Sequence, residues 1–135
     1  MPIKVIVDSN FLMIPSKFRI DIFGELSRTL NRLVDLIVLS PVYEELQNIS
    51  LDAHPKLSKQ AKMALKIIEK LEIVDVKPIP EETVDNIILR IAKEWNCPVA
   101  TNDNELRKKL KMIGIPVIYL RQGVRLGLEG GVLKR

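Results

Sequence analysis

Four acidic side chains are spaced so that an open α/β sheet would bring them to one edge: Asp8, Glu45, Asp85 and Asp103. Asp8 follows the β-branched run Val5-Ile6-Val7, and Asp103 closes the run Val99-Ala100-Thr101-Asn102-Asp103. Sites in such sheets form outside the carboxyl ends of the strands, so both aspartates stand where chemistry is expected if their strands are central neighbours. Glu45 and Asp85 lie on segments of helical periodicity. At about 100° per residue, Val42, Leu46 and Ile49 form an apolar stripe with Glu45 beside it, while Glu44 points nearly opposite. Val84, Ile88, Ile91 and Trp95 form a second stripe, flanked by Asp85 between Leu89 and Ala92. A carboxylate beside a packed face is costly unless it is paired, hydrogen-bonded or bound to a metal.

Each acid taken alone has an ordinary explanation. Aspartates cap helices and turns, Asn102 and Glu105 have the spacing of a capping box, and edge residues of a helix can reach solvent. Taken together they point further. No Lys or Arg is adjacent in sequence to Asp8, Glu45 or Asp85. Four converging carboxylates repel, and a divalent cation is their natural neutraliser. An all-oxygen ligand set favours Mg²⁺ or Mn²⁺ over zinc. The chain is +4 overall, so without these four acids the remainder is +8. Residues 106–135 alone hold eight basic residues and one acid, Glu129. An acidic pit in a basic surround suits metal-assisted cleavage of a phosphodiester, with the basic residues holding the backbone. Arg107, Lys108, Lys111, Arg121 and Arg125 are the candidates for that contact. Aromatic residues make up only 4%, which argues against a base-stacking platform and for contacts to phosphates.

The elements that must position these acids alternate between strand and helix. Strands are expected at Ile3–Val7, Leu36–Leu39, Ile73–Val76, Pro98–Ala100 and Pro116–Leu120. Helices are expected at Asp21–Val34, with Ile22, Leu26, Leu30 and Leu33 on one side, from Pro41 to about Ile49, from Pro55 to about Leu71, at Glu81–Trp95 and at Asn104–Ile113. Pro41 suits a helix's first residue and Gly114 a C-terminal cap. The alternation predicts one α/β domain over residues 1–135, a three-layer α/β/α sandwich around a parallel sheet of about five strands. Residues 121–135, rich in glycine and basic, are expected to form a flexible tail.

Composition excludes several classes. At 135 residues, 47% hydrophobic and 28% charged, the chain has the balance of a globular domain. It has no apolar run long enough for a transmembrane helix and no signal-peptide pattern, so a cytoplasmic protein is expected. A single cysteine, Cys97, excludes an internal disulfide, and a single histidine, His54, excludes a paired-His mechanism. Strand one leads to Asp8-Ser9-Asn10 rather than to a glycine-rich phosphate loop. Ser9 and Ser16 have no histidine partner for a nucleophilic triad. Cys97 and Trp95 read as core residues, and His54 as a loop residue.

These residues resemble the PIN-domain family of metal-dependent ribonucleases over nearly the whole chain. The likeness rests on Val5-Ile6-Val7-Asp8-Ser9-Asn10, Val42-Tyr43-Glu44-Glu45-Leu46, Asp85 followed by Ile88, and Val99-Ala100-Thr101-Asn102-Asp103. The resemblance implies Mg²⁺- or Mn²⁺-dependent endoribonuclease activity, with Asp8, Glu45, Asp85 and Asp103 as metal-site acids. It implies that Asn10 and Thr101 are supporting polar residues and that Glu105 is an auxiliary acid. The stretch from Cys97 through Leu120 and the basic residues after it look like the archaeal and eukaryotic branch that processes small-subunit ribosomal RNA. VapC-type toxins share the same core. The implied partners are structured or ribosomal RNA, a ribosome-assembly partner or an antitoxin, and a second copy in a homodimer. A non-catalytic RNA-binding module on the same fold is the alternative from another class.

Overall fold

A computed structural model describes residues 2–15, 21–121 and 125–130. Its strands are β1 (Ile3–Val7), β2 (Val34–Leu39), β3 (Glu72–Val74), β4 (Val99–Ala100), β5 (Val117–Arg121) and β6 (Arg125–Glu129). Its helices are α1 (Ser9–Leu12), α2 (Ile22–Leu30), α3 (Ser40–Ser50), α4 (Pro55–Ile68), α5 (Val84–Trp95) and α6 (Asn104–Met112). They form an α/β fold around one six-stranded sheet of order β3-β2-β1-β4-β5-β6. All neighbours pair in parallel except β5 and β6.

The order follows from the sequence. β1 and β4 are apolar and short, and they lie at the centre, where both strand faces are covered. Val5, Ile6, Val7, Val99 and Ala100 are fully buried. From β1 the chain moves outward through β2 to β3, then returns to β4 and moves the opposite way to β5. Right-handed crossovers therefore put α1–α4 on one face and α5 and α6 on the other. The reversal falls between β1 and β4, the position at which such sheets open a crevice.

Local chemistry sets the helix limits. Pro41 and Pro55 lie in the first turns of α3 and α4, where a missing N–H costs little. Thr83 caps α5 by accepting the Asn86 N–H at 3.2 Å, and Asn96 ends it in the left-handed region. Gly114, at φ +76°, supplies the turn after α6.

Several sequence expectations need correction. The first long helix ends at Leu30, because Asn31 turns left-handed at φ 50°; Leu33 is 74% exposed rather than on a helix stripe, and Val34 already belongs to β2. The helix expected from Glu81 starts at Val84, since Glu81 has a positive φ of 67°. Part of the expected tail is sheet. Arg121 ends β5, and residues 125–129 fold back as β6 in register Arg121↔Arg125 to Val117↔Glu129. Gly127 makes the return possible, for a Cβ there would lie 2.6 Å from Arg121 Cδ and 3.0 Å from Tyr119 Cζ. Residues 122–124 and 131–135 of that expectation lie outside the described residues. Among the described residues no helix is long and apolar enough to cross a membrane.

Candidate functional site

The β1–β4 register pairs Val7 with Ala100, so the next residues, Asp8 and Thr101, emerge side by side at the crevice. The Asp8 N–H donates to the Ala100 carbonyl at 3.0 Å, continuing the ladder one step past the strand. Asp8 then caps α1, its Oδ1 accepting the Ser9 N–H at 2.8 Å. Its Oδ2 accepts the Thr101 hydroxyl at 2.8 Å and the Asn10 side-chain amide at 3.1 Å. Asp8 is 4% exposed, yet among the described residues no Lys or Arg is paired with it.

Thr101 and Asn10 join the two strand ends. The Thr101 hydroxyl also accepts the Asp103 N–H at 3.1 Å, and the Asn10 side-chain oxygen accepts the Asn102 N–H at 3.0 Å. The Asn102 side chain reaches the other way, accepting the Leu120 N–H at 2.7 Å and tying the loop to β5. Asp103, not Asn102, caps α6: its Oδ1 accepts the N–H groups of Glu105 and Leu106 at 2.9 and 3.1 Å. The capping-box spacing of Asn102 and Glu105 is therefore not used as one. Asp103 Oδ2 takes no hydrogen bond among the described residues.

The other two acids arrive from opposite faces of the sheet. Glu45 projects half-buried from α3 and accepts the Ser9 hydroxyl, while Glu44 is exposed, as the helical stripe requires. Asp85 lies half-buried in the first turn of α5. The electrostatics show that the acids share one field. Burial pushes the Asp8 carboxyl up to about 6, and the charges of Glu45 and Asp85 push it in the same direction; the bonds from Thr101 and Ser9 oppose them. Asp85 is also raised, by burial first and then by Asp103, Glu45 and Glu105, with Lys109 opposing. Glu105 itself is exposed and acts on the site through its charge.

Among the described residues no group of three or more His, Cys, Asp or Glu side chains is placed so that it could hold a metal ion as it stands. The four acids are linked through their charges, Asp8 with Glu45 and Asp85, and Asp85 with Asp103 and Glu45, and so loose a set suits only an ion that keeps part of its water shell. Mg²⁺ does so, binding proteins through one or two carboxylates and retaining several waters. The donor set is all carboxylate, and its buried member has no cationic partner among the described residues. The residues therefore fit a hard divalent cation in kind.

The basic candidates divide. Arg107 donates through Nη2 and Nε to Glu129 Oε1 at 2.7 and 3.0 Å and lies 4.0 Å from the centre of the Tyr119 ring. Lys111 is 3.8 Å from the other Glu129 oxygen. Both are held against β6. Lys108 and Arg121 are exposed; Arg125 pairs with Arg121 along the hairpin backbone, and its side chain lies outside the described residues.

Two side chains that act on these acids lie outside the sequence-based set. Ser9 was read only as a nucleophile without a partner, although its place beside Asp8 at the start of α1 makes it the bridge to Glu45. Lys109 was counted only as charge. Three other expectations hold. His54 is an exposed cap of α4, receiving the Leu57 N–H at 3.4 Å. Cys97 is buried, and burial pushes its thiol up to about 11. Trp95 is half-buried against the core beneath the Lys4 ammonium, 5.9 Å from the ring centre.

Comparison with known proteins places the chain in a family. A family described as PIN like domain matches residues 5–123. The chain is 38% identical over 122 residues to ribonuclease VapC4 of Methanocaldococcus jannaschii, covering 88% of this chain and 91% of the relative. It is 31% identical over 124 residues to ribonuclease VapC9 of Archaeoglobus fulgidus, covering 92% and 87%. It is 28% identical over 127 residues to the rRNA-processing protein utp23 of Schizosaccharomyces pombe, covering 91% of this chain and 47% of that protein. Among solved structures, the PIN domain endonuclease Utp24 has the same fold, with a TM-score of 0.80 at 24% identity over 98% of this chain and 97% of that one.

Proposed function

The chain belongs to the PIN like domain family, and from that premise we propose that it is a Mg²⁺- or Mn²⁺-dependent endoribonuclease. The observation that carries this reading is Asp8. It is buried at the sheet's switch point, fixed by three donors and pushed up by that burial and then by neighbouring acids, with no cation paired with it among the described residues. A protein gains nothing from such an arrangement unless a positive ligand relieves it.

In this reading Asp8 and Asp103 hold the metal directly, and Glu45 and Asp85 complete the site directly or through water. The bound ion supplies an activated water and charge neutralisation at the scissile phosphate. Thr101 and Asn10 fix the plane of the Asp8 carboxylate and leave Oδ1 with a single hydrogen bond. Asp103 is fixed through the Oδ1 that caps α6, so its Oδ2 faces no competing donor. Ser9 steers Glu45. Basic side chains beside the cleft hold the RNA backbone.

Two roles fit this chemistry. The match to utp23 supports processing of ribosomal RNA. The matches to VapC4 and VapC9 support a VapC-type toxin restrained by a small antitoxin. The test is cleavage of a labelled structured RNA with Mn²⁺ or Mg²⁺, against EDTA and against Asp8→Asn. Metal-dependent cutting lost in the variant is expected. RNA binding without cutting sinks the enzyme and leaves an RNA-binding module. Growth arrest on expression of the wild-type chain alone, relieved by Asp8→Asn, separates the toxin from the processing enzyme.

A further inference from the structure

Between α5 and α6 runs an open groove of about 350 Å³, lined by Leu89, Arg90, Lys93, Lys109, Met112 and Ile113. Its floor is aliphatic and uncovered: Met112 is 86% exposed and Ile113 40%. Its rim is cationic. Arg90 is already engaged, donating to both Glu82 oxygens at 2.9 Å and to the Lys77 carbonyl at 3.2 Å. Lys93 and Lys109 have no ion pair among the described residues.

The groove lies one helical turn along α5 from Asp85. Asp85, Leu89 and Lys93 are spaced four residues apart, so they follow one side of α5 at about 6 Å per step. Across the groove, Lys109 on α6 is the cation whose charge bears on Asp85. The basic side chains expected to hold nucleic acid are, by contrast, partly neutralised, because Glu129 takes both Arg107 and Lys111.

We propose that this groove carries the RNA strand as it leaves the carboxylate cleft, with Lys109 and then Lys93 against backbone phosphates and a base resting on Met112 and Ile113. The inference rests on the ribonuclease reading. RNA is favoured as occupant by continuity, since a strand bound among the acids must leave along a path that is not acidic. Charge complementarity favours it too. A second copy of this chain would set the same cations against one another.

The test measures binding apart from cutting. A fluorescein-labelled 12-nucleotide single-stranded RNA is titrated into the Asp8→Asn protein and followed by anisotropy at several salt concentrations. Adding Lys93→Ala should weaken binding several-fold and reduce the log–log salt slope by about 0.7, the single-strand value per phosphate contact. Met112→Asp, on a side chain too exposed to matter for folding, should also weaken it. Lys66→Ala, exposed on α4 across the sheet, should change nothing. Photo-cross-links from 4-thiouridine should fall on residues 112–113. Equal binding by all three variants overturns the proposal, as does absence of binding by the parent protein. An acidic amphipathic peptide that occupies the groove when RNA does not overturns it as well. Cross-links confined to Lys108 and Arg121 overturn the path while leaving the nuclease intact. Groove-dependent binding by a wild-type protein that never cuts RNA removes the nuclease and keeps the groove.

Discussion

Charge is concentrated in two regions of this protein, and the fold treats them in opposite ways. At the α6–β6 seam, Arg107 and Lys111 converge on Glu129, and Tyr119 receives the guanidinium on its face. One carboxylate offsets two cations in part there, and the seam holds the antiparallel strand to the body. At the β1–β4 crevice, Asp8, Glu45, Asp85 and Asp103 arrive from four elements, and among the described residues no cation is paired with Asp8. The seam pairs each of its charges with an opposite one, Glu129 serving both cations. The crevice gathers like charges, and Thr101, Asn10 and Ser9 hold its acids in place against their mutual repulsion. An unneutralised cluster that the fold goes on to brace is a stronger sign of function than a dense but balanced one.

That contrast breaks most directly at Asp8 and Asp103. Asp8→Asn or Asp103→Asn should lower RNA cleavage by at least about 100-fold while the circular dichroism spectrum and cooperative unfolding are kept. Wild-type cleavage in either folded variant would mean that the crevice is no more functional than the seam. Next in size is metal-linked stability. At a concentration 100 times its dissociation constant, a bound ion stabilises by about 2.7 kcal/mol. Asp8 has a folded-state value of about 6 against 3.8 unfolded, so its favourable contribution is present below 3.8 and is lost as pH rises through about 6. In EDTA, Asp8→Asn should therefore raise the thermal midpoint relative to wild type at pH 7.5 and not at pH 4. With Mn²⁺ the wild type should gain most above pH 6, where the carboxyl is ionised. A midpoint indifferent to metal at pH 7.5 would remove the ion from the site.

The two regions were unequally legible in the sequence. The crevice could be read because each acid carries a local signal: Asp8 and Asp103 follow apolar strands, and the stripe of Val42, Leu46 and Ile49 separates Glu45 from Glu44. The seam could not. Arg107 and Glu129 are 22 residues apart, and nothing near either one names the other. Gly123, Gly127 and Gly130 read as a tail because glycine weakens a strand, whereas at Gly127 the absent side chain is what lets β6 pass Arg121 and Tyr119. Within the crevice, hydrogen-bond direction was also invisible. Whether Asn102 or Asp103 capped α6 depended on backbone angles that residue types alone do not set. Ser9 gained its role only when α3 brought Glu45 beside α1.

The seam gives the next test. Arg107→Ala removes two hydrogen bonds to a half-buried carboxylate and the contact with Tyr119, and should cost about 1–2 kcal/mol of stability by urea unfolding. Cleavage measured below the unfolding transition should stay within about 2-fold of wild type, because Arg107 is already committed to Glu129. A large loss of cleavage with stability unchanged would move Arg107 into the RNA contact and erase the division drawn between the regions.

The finest test lies within two adjacent residues. Glu44 and Glu45 differ by one helical step, yet Glu45 turns in toward Ser9 and the crevice while Glu44 faces solvent. Glu45→Gln should lower cleavage about 10-fold or more and raise the metal concentration needed for half-maximal rate, since it removes one charge from the set that holds the ion. Glu44→Gln should leave stability within about 0.5 kcal/mol and cleavage unchanged, as expected for an exposed charge that contacts nothing in the site. The pair controls for net charge and helix propensity, which change equally in both variants. Only direction relative to the crevice differs. Equal losses would show that overall negative potential drives the effect, and equal silence would show that three carboxylates suffice.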